Sequence, residues 1–154
     1  MFSIKAALIG LSLTGFLGVH AGDSIPKEVV PAWLADARKA VNAKNFDKAI
    51  TVLQASNQSA SADWNNLMGY ANRKKEPADL DAAEMYYQEA LRIDPKHKGA
   101  LEYYGQLLLL RSDLPGAEQL LLRLDKLCFI SCEEYRDLKQ AINAYKLKNQ
   151  PASK

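Results

Sequence analysis

The chain contains few of the residues from which catalytic and metal sites are usually built. Its 154 residues include two cysteines and two histidines. It has no His-Glu-x-x-His motif, no phosphate-binding glycine loop, no Gly-x-Ser-x-Gly nucleophile motif and no dinucleotide-binding fingerprint. His97 stands alone between two predicted helices, where we expect it to be exposed. These absences predict a protein that is not an enzyme and that binds no metal or cofactor.

The charged residues also lack an excess of either sign. Twenty Lys and Arg residues stand against 18 Asp and Glu residues, and they form no block of like charge. Proteins that bind nucleic acid or an anionic membrane surface usually display a basic cluster. The charge pattern therefore argues against both kinds of partner and favours another protein or a peptide.

The one long apolar segment is at the N-terminus. Lys5 precedes an apolar run over residues 6–19, and Val19 and Ala21 form an A-x-A-like cleavage site. This layout predicts a signal peptide over residues 1–21, followed by a lead-in over residues 22–29. A retained N-terminal anchor is the alternative, although the run is short and glycine-rich for a membrane span. Cleavage would leave no integral membrane segment and would place the protein in the periplasm.

The remaining sequence repeats itself. Ala49, Ala83 and Ala117 are separated by 34 residues each time. Large apolar residues keep the same spacing three residues before and four residues after each alanine: Phe46, Leu80 and Leu114, then Leu53, Tyr87 and Leu121. A constant period of this length is typical of stacked helical repeats.

The repeated pattern resembles that of the tetratricopeptide repeat, W-x2-L-G-x2-Y followed by A-x3-F and Pro. The middle repeat contains Trp64, Leu67, Gly69, Tyr70, Ala83, Tyr87, Ala90 and Pro95. The third contains Leu101, Tyr104, Gly105, Leu108, Ala117, Leu121 and Leu124. The first contains Trp33, Ala37, Ala40, Ala49 and Leu53, but has Ser56 in place of a small apolar residue and no final proline.

This resemblance covers residues 30–130 and implies an all-α fold. The fold would be an α-solenoid of three tetratricopeptide helix pairs plus a C-terminal capping helix. Neither helix of a pair can bury its apolar face alone, so the stacking of neighbouring pairs forms the core. The middle repeat is three residues longer than the others, and the extra residues fall within 74–79. They are either a tolerated surface insertion or a protruding contact loop.

A capping helix is predicted over residues 131–148. Ser131 followed by Glu134 has the spacing of a capping box, with the serine at the N-cap. Four apolar residues then follow at helical spacing: Tyr135, Leu138, Ile142 and Tyr145. Residues 149–154 have the composition of a disordered tail.

The two cysteines, Cys128 and Cys132, lie at the junction between the last repeat and the capping helix. Export to an oxidising compartment favours a structural disulfide between them. Closing so short a loop would contribute only about 2 kcal/mol. A redox-active pair is the alternative, since a helix start lowers a thiol pKa. The Cys-x3-Cys spacing is not that of thioredoxin-like sites. A metal site is not expected, because His97, the one histidine that would remain after cleavage, lies far away in sequence.

The resemblance also implies a binding surface, because the first helices of successive repeats line a concave groove that receives a peptide or a partner helix. Aligned with that pattern, the groove residues are Leu34, Arg38, Val41, Asn42, Asn65, Gly69, Asn72, Arg73, Glu102, Gln106, Leu109 and Leu110. Relatives that grip a C-terminal carboxylate have a lysine where this chain has Leu34. Leu109 and Leu110 either face the groove or pack against neighbouring helices.

Together these features resemble small periplasmic tetratricopeptide proteins of Gram-negative bacteria, some with a Cys-x3-Cys-Glu-Glu-Tyr stretch after the last repeat. The resemblance implies a non-catalytic periplasmic adaptor that binds a partner protein or extended peptide in its concave groove during envelope complex assembly. One alternative is a redox-responsive accessory protein that uses Cys128 and Cys132. Another is a subunit of an envelope complex whose groove is permanently filled.

Overall fold

The computed structural model describes residues 30–130 and 132–149, which form seven α-helices and no strand. The predicted signal peptide and lead-in, Ser131 and most of the predicted tail lie outside the described residues. The helices are α1 Ala32–Asn42, α2 Phe46–Ser56, α3 Ala62–Lys74, α4 Leu80–Ile93, α5 Lys98–Leu110, α6 Leu114–Leu127 and α7 Glu133–Lys148. The prediction of an all-α fold is confirmed.

The helices pack as three successive pairs with α7 at one end. The pairs are α1 with α2, α3 with α4, and α5 with α6, and α7 lies against both helices of the last pair. Neighbouring pairs meet through α2 with α3 and α4 with α5. The first helices of the pairs are also in contact, α1 with α3 and α3 with α5. This is the predicted solenoid of three helix pairs with a capping helix.

Side chains cap the starts of five helices. In each case the capping side chain accepts a hydrogen bond from the backbone N–H three residues later: Asn45, Ser61, Asp79, His97 and Asp113. Such bonds satisfy donors that the first turn of a helix leaves without partners. Pro115, in the first turn of α6, has no N–H to satisfy.

The start of α7 differs from the predicted capping box. Helix α7 begins at Glu133, with Cys132 at the N-cap position and no side-chain cap hydrogen bond. Ser131, the predicted cap, lies outside the described residues. Glu133 and Glu134 lie in the first turn, where negative charge interacts favourably with the helix macrodipole. The glutamates support the helix start through their charge.

Close helix crossings form at two glycines. A methyl group at Gly69 of α3 would lie 2.7 Å from the ring of Tyr87, a fully buried residue of α4. A methyl group at Gly105 of α5 would lie 2.6 Å from the Leu138 side chain of α7. Because interiors are close-packed, each missing side chain is replaced by a bulky neighbour from the next helix. The glycines thus set how closely α4 approaches α3 and α7 approaches α5.

The first two pairs are joined by the indole of Trp64. Its Nε1 donates to the carbonyl oxygen of Leu53 at 2.7 Å and to the Ser56 hydroxyl at 3.1 Å. The Trp64 side chain also packs among Leu34, Leu53 and Met68 in the core of this junction. Ser56, which departs from the family pattern, therefore supplies an acceptor for a buried indole N–H.

Several large apolar side chains are exposed on the surface. These residues are Val30, Met85, Leu110, Leu122, Phe129, Ile130 and Leu147. Exposed apolar residues are normal for a folded domain. Within residues 30–130 and 132–149, no helix has the length and apolar character needed to span a bilayer.

A disulfide links the end of α6 to the start of α7. Cys128 follows the last residue of α6, Cys132 precedes the first residue of α7, and their Cα atoms are 5.5 Å apart. The cross-link therefore constrains the short connection that sets where α7 docks. It does not take part in the packing of the core, which α7 reaches through Leu138 and Ile142.

Replacing Gly69 with alanine is expected to destabilise the protein by about 1–3 kcal/mol, because the new methyl group meets the Tyr87 ring. At an uncrowded helical position the same change stabilises by roughly 0.5–1 kcal/mol. Urea unfolding followed by circular dichroism measures the sign directly. In a double-mutant cycle, Tyr87→Leu should reduce the cost of Gly69→Ala, and additive costs would contradict the assigned contact.

Removing the disulfide is expected to lower the free energy of unfolding by about 2 kcal/mol, the loop-closure value for a sequence separation of 4. The double variant Cys128→Ser, Cys132→Ser should melt at the temperature of the reduced wild-type protein, which is its matched control. Intact mass after alkylation should show adducts on the wild type only after reduction. Adducts without reduction would show free thiols and contradict the structural disulfide.

Candidate functional site

Three clefts open on the surface formed by α1, α3, α5 and α7, which we call the groove face. The largest has a volume of about 610 Å³, and we call it the acidic cleft because six carboxylates and only three Lys or Arg residues line it. Its lining residues are Arg38, Val41, Asn42, Asp63, Asn66, Leu67, Asp94, Lys96, His97, Lys98, Gly99, Glu102, Tyr103, Glu133, Glu134 and Asp137. The other two clefts are smaller and are lined by basic residues.

One side of the acidic cleft is held together by Asp63 at the start of α3. Its Oδ1 atom lies 3.4 Å from Arg38 Nη2 and 3.4 Å from His97 Nε2. His97 Nδ1 accepts the Ala100 N–H at 3.1 Å, so Nε2 is the nitrogen that donates to Asp63. The hydrogen bond from His97 holds the pKa of Asp63 below its usual value.

The expectation that His97 is exposed was wrong. Its side chain is only 15% exposed, because it caps α5 and reaches across to α3 at the same time. Both ring nitrogens are therefore used for structure. The Asp94-Pro95 turn before it gave no sign of this second contact, since Asp63 lies 34 residues earlier in the chain.

The other side of the acidic cleft contains a buried carboxyl group. Glu102 is only 6% exposed, and its Oε1 accepts a hydrogen bond from Gln106 Nε2 at 2.8 Å. Burial, together with the neighbouring carboxylates of Asp137 and Glu134, raises the pKa of Glu102 to about 8 against the opposing charge of Arg73. At neutral pH this carboxyl group is therefore mostly protonated.

Asn66, on the α3 wall of the cleft, has a buried polar atom without a partner. The residue is 7% exposed, and its Oδ1 has no hydrogen-bond donor among the described residues. Buried side-chain oxygens are nearly always hydrogen-bonded, because an unpaired one costs about 1–3 kcal/mol. Asn66 therefore places an unsatisfied acceptor in the wall of the acidic cleft.

A cluster of tyrosines around Arg73 separates the acidic cleft from the other two. The Tyr70 and Tyr103 rings lie 4.7 Å apart, and the Arg73 guanidinium carbon lies 5.5 Å and 5.7 Å from their centroids. Arg73 Nε donates to the Tyr87 hydroxyl at 3.3 Å, whereas Nη2 is buried and has no acceptor among the described residues. Cation–π contacts thus take the place of an ion pair for this buried cation.

We call the second cleft, of about 450 Å³, the basic cleft because Arg73 and Lys148 line it and no carboxylate does. Its floor is partly apolar, with Leu109 and Ala141 among the lining residues. The third cleft has a volume of about 400 Å³ and lies between α1 and α3, where Lys44 and Lys74 flank Phe46 and Tyr70. The groove face is therefore acidic towards the starts of its helices and basic towards their ends.

Eight of the twelve predicted groove residues line these clefts. Arg38, Val41, Asn42 and Glu102 line the acidic cleft, and Arg73, Gln106, Leu109 and Leu110 line the basic cleft. Of the two leucines that sequence left undecided, Leu109 is 8% exposed and Leu110 is 61% exposed. Their contact with a partner stays a prediction.

The other four predicted groove residues are buried and line none of the three clefts: Leu34, Asn65, Gly69 and Asn72. Leu34 belongs to the core around Trp64, and Gly69 packs against α4. Asn65 Nδ2 donates to the carbonyl oxygens of Ser59 and Ser61 at 2.7 Å and 2.9 Å. Asn72 Nδ2 donates to the carbonyl oxygen of Met68 at 2.9 Å. Through Nδ2 both amides donate to backbone carbonyl groups of the fold.

The groove residues that sequence reasoning missed include these on α3, α5 and α7: Asp63, Asn66, Leu67, Tyr70, Tyr103, Glu133, Glu134 and Asp137. The four named on α3 follow the i, i+3, i+4, i+7 spacing of one helix face, which was readable from the sequence. On α7, nothing in the sequence showed that Glu133, Glu134 and Asp137 line the same cleft as residues of α5.

Among the described residues, no group of three or more His, Cys, Asp and Glu side chains could hold a metal ion. The polar atoms of the groove face are instead distributed along four helices. Carboxylates, amides, tyrosines and arginines in this arrangement form hydrogen bonds and ion pairs with an extended ligand. The face has the chemistry of a binding surface.

Comparison with solved structures places the fold among tetratricopeptide-like helical solenoids. The chain is similar to the type III secretion translocator chaperone SycD of Yersinia enterocolitica, with a TM-score of 0.64 and 19% identity, over 75% of this chain and 82% of that one. It is also similar to SycD in complex with a peptide of the translocator YopD, with a TM-score of 0.61 and 18% identity, over 77% of this chain and 92% of that one. No protein-family model matches the chain. No characterised protein matches it by sequence.

The raised pKa of Glu102 predicts that stability depends on pH. Between the ordinary pKa of 4.5 and about 8, the folded protein holds a proton on Glu102 that the unfolded chain has released. The folded state binds more protons, so the free energy of unfolding should fall as the pH rises through this window. In Glu102→Gln the fall should be smaller, as measured by urea unfolding at pH 5, 6, 7 and 8.

Asp125→Asn is the matched control for this prediction, because Asp125 is exposed and lies in none of the clefts of the groove face. It should retain the pH dependence of the wild type. An unchanged slope in Glu102→Gln would show that Glu102 is ionised in the folded protein.

Proposed function

We propose that this protein is a non-catalytic scaffold that binds a segment of a partner protein on its groove face. The segment would run across α1, α3, α5 and α7 and contact the acidic and basic clefts. It would be extended or helical, since the clefts lie side by side along the face. The protein would hold this segment without changing it chemically.

The observation that carries this proposal is the presence of two buried polar atoms without partners on one face. Asn66 Oδ1 lacks a donor, and Arg73 Nη2 lacks an acceptor. The two residues lie on the same helix, seven positions apart, which is two turns along one side of α3. A folded protein seldom leaves such groups unsatisfied, so we take them as places where a bound segment supplies a hydrogen-bond partner.

The rest of the groove face supports the same interpretation. It combines aromatic rings, represented by Tyr70 and Tyr103, with charged side chains of both signs. Tyrosine and arginine are enriched where proteins bind one another, because they provide large contact areas together with polar groups. The exposed Leu110 at the edge of the basic cleft adds an apolar contact.

The comparisons support the proposal at the level of the fold. SycD, which has a similar helical arrangement, is a chaperone and has been solved with a peptide of YopD bound to it. Similar helical solenoids therefore do bind segments of other proteins. The identity is below one fifth in both cases, so the partner of this chain is not inferred from that of SycD.

The proposed location is the periplasm, and the proposed context is the assembly of an envelope complex. The predicted signal peptide supports export, and the disulfide between Cys128 and Cys132 fits an oxidising compartment. The sequence resemblance to small periplasmic tetratricopeptide proteins points the same way. In that setting the scaffold would hold a segment of an envelope protein until it joins its complex.

Site-specific photo-crosslinking in the native host tests this proposal. A benzoylphenylalanine at position 42 would report on the groove face, because Asn42 is exposed and lines the acidic cleft. One at position 85 is the matched control, because Met85 is 65% exposed on α4 and lines none of the three clefts. We expect discrete crosslinked partners from position 42 and none from position 85.

Equal crosslinking from both positions would mean that contacts are not confined to the groove face. No crosslink from position 42, at a protein level equal to that of the wild type, would contradict the proposal directly. Neither substitution replaces a core residue, so the melting temperature should change little and loss of fold would not be confused with loss of binding.

A further inference from the structure

Four carboxyl groups from two helices converge at one end of the acidic cleft. Glu102 comes from α5, and Glu133, Glu134 and Asp137 come from the first two turns of α7. None of the four forms an ion pair with a described Lys, Arg or His residue. Glu133, Glu134 and Asp137 therefore give this end of the cleft negative charge, and of the four carboxyl groups only Glu102 accepts a side-chain hydrogen bond from a described residue, Gln106.

A separate observation shows that the cleft lacks a hydrogen-bond donor. Asn66 reaches the same cleft from α3, is 7% exposed, and has no donor for its Oδ1. The missing partner is a donor, and the surrounding charge is negative. Both requirements are met by a cationic group that carries several N–H donors.

Arg73, the cation already in this region, does not supply the missing hydrogen-bond donor. Arg73 is the basic residue of α3 that faces Glu102, and its guanidinium is occupied by the rings of Tyr70 and Tyr103. A metal ion fits less well than an organic cation, since the described His, Cys, Asp and Glu residues form no group that could hold one. A guanidinium spreads five donors over a plane and can reach acceptors on α3, α5 and α7 together.

We propose that this end of the acidic cleft is a subsite for a basic side chain, with arginine preferred, of the segment that the groove face binds. The subsite consists of Glu102, Glu133, Glu134, Asp137 and Asn66. This inference rests on the proposed function, because it assigns the chemistry of the ligand to part of the same face. It predicts that the partner segment carries an arginine or lysine at one fixed position.

Binding at this subsite is coupled to a proton. Before binding, Glu102 is mostly protonated at neutral pH, because burial and the carboxylates of α7 outweigh the single charge of Arg73. An arriving guanidinium favours the ionised carboxylate and so lowers the pKa of Glu102. Glu102 then releases its proton to solvent. The affinity for a basic segment should therefore rise with pH up to about 8 and level off above that value.

Selection from displayed random twelve-residue peptides is the first experiment. The full chain without its predicted signal peptide is used, with the disulfide formed. We expect the selected peptides to share an arginine or lysine at one position. The best sequence is then synthesised with arginine, lysine, citrulline or norleucine at that position and titrated by fluorescence anisotropy. Citrulline keeps the shape of arginine but has no charge.

Replacing arginine with citrulline is expected to weaken binding to the wild type about tenfold or more. In Glu102→Gln this difference should shrink to less than about threefold, while the citrulline peptide still binds. Asp137→Asn is a second variant, at an exposed position. It should reduce the affinity difference between the arginine and citrulline peptides even if Glu102→Gln proves unstable. Asp125→Asn lies outside the clefts and should keep the full difference.

Calorimetry at pH 7 in buffers with different ionisation enthalpies gives a readout that a purely structural role of Glu102 would not change. The arginine peptide should release a proton from the wild type, up to one per site, and none from Glu102→Gln. Equal binding of arginine and citrulline peptides would overturn the subsite and leave the proposed function intact. Persistence of the arginine preference in both Glu102→Gln and Asp137→Asn would also overturn it. Failure of every peptide to bind would count against the proposed function itself.

Discussion

The ring of Tyr87 occupies the space that Gly69 leaves open, and much of the groove face depends on this contact. The ring is fully buried, stacks at 6.2 Å on Tyr104 of α5, and accepts the Arg73 Nε hydrogen bond through its hydroxyl. It thereby connects α3, α4 and α5 at one point. Arg73 in turn supports the tyrosine pair that divides the clefts. The groove face is thus built on a packing contact on the far side of α3.

Charged residues at the helix ends stabilise the helices and also divide the groove face into an acidic part and a basic part. In α3, Asp63 lies in the first turn and Lys74 in the last, and α7 has Glu133 and Lys148 in the corresponding places. Acidic residues at helix starts and basic residues at helix ends both interact favourably with the helix macrodipole. Because these helices line one face, the pattern adds up to an acidic cleft and a basic cleft. Glu102 lies beyond the first turn and is buried, so the dipole does not keep it ionised.

The sequence was sufficient to predict the fold and part of the candidate site. The alanines at a period of 34 residues predicted the helix pairs, because their positions are fixed by helix crossings within each repeat. Predicting the candidate site also requires the direction of each side chain, since a shift of one residue along a helix turns that direction by about 100°. This rotation distinguishes two neighbours: Asn65 donates a hydrogen bond to the Ser59 carbonyl oxygen, whereas Asn66 lines the acidic cleft. The role of the α7 carboxylates depends on how α7 docks, and neither local pattern nor composition contains that information.

The hydrogen bond from the Trp64 indole to Leu53 and Ser56 has a consequence for spectroscopy. Trp64 is 7% exposed at the junction of the first two pairs, whereas Trp33 is only partly buried on α1. In a solenoid, each pair is held mainly by its neighbours, so the ends can separate before the middle. Water reaching the Trp64 indole would shift its fluorescence to longer wavelength as the first pair separates. Release of α7 at the other end would leave that emission unchanged, so the chain carries an intrinsic fluorophore that distinguishes fraying at its two ends.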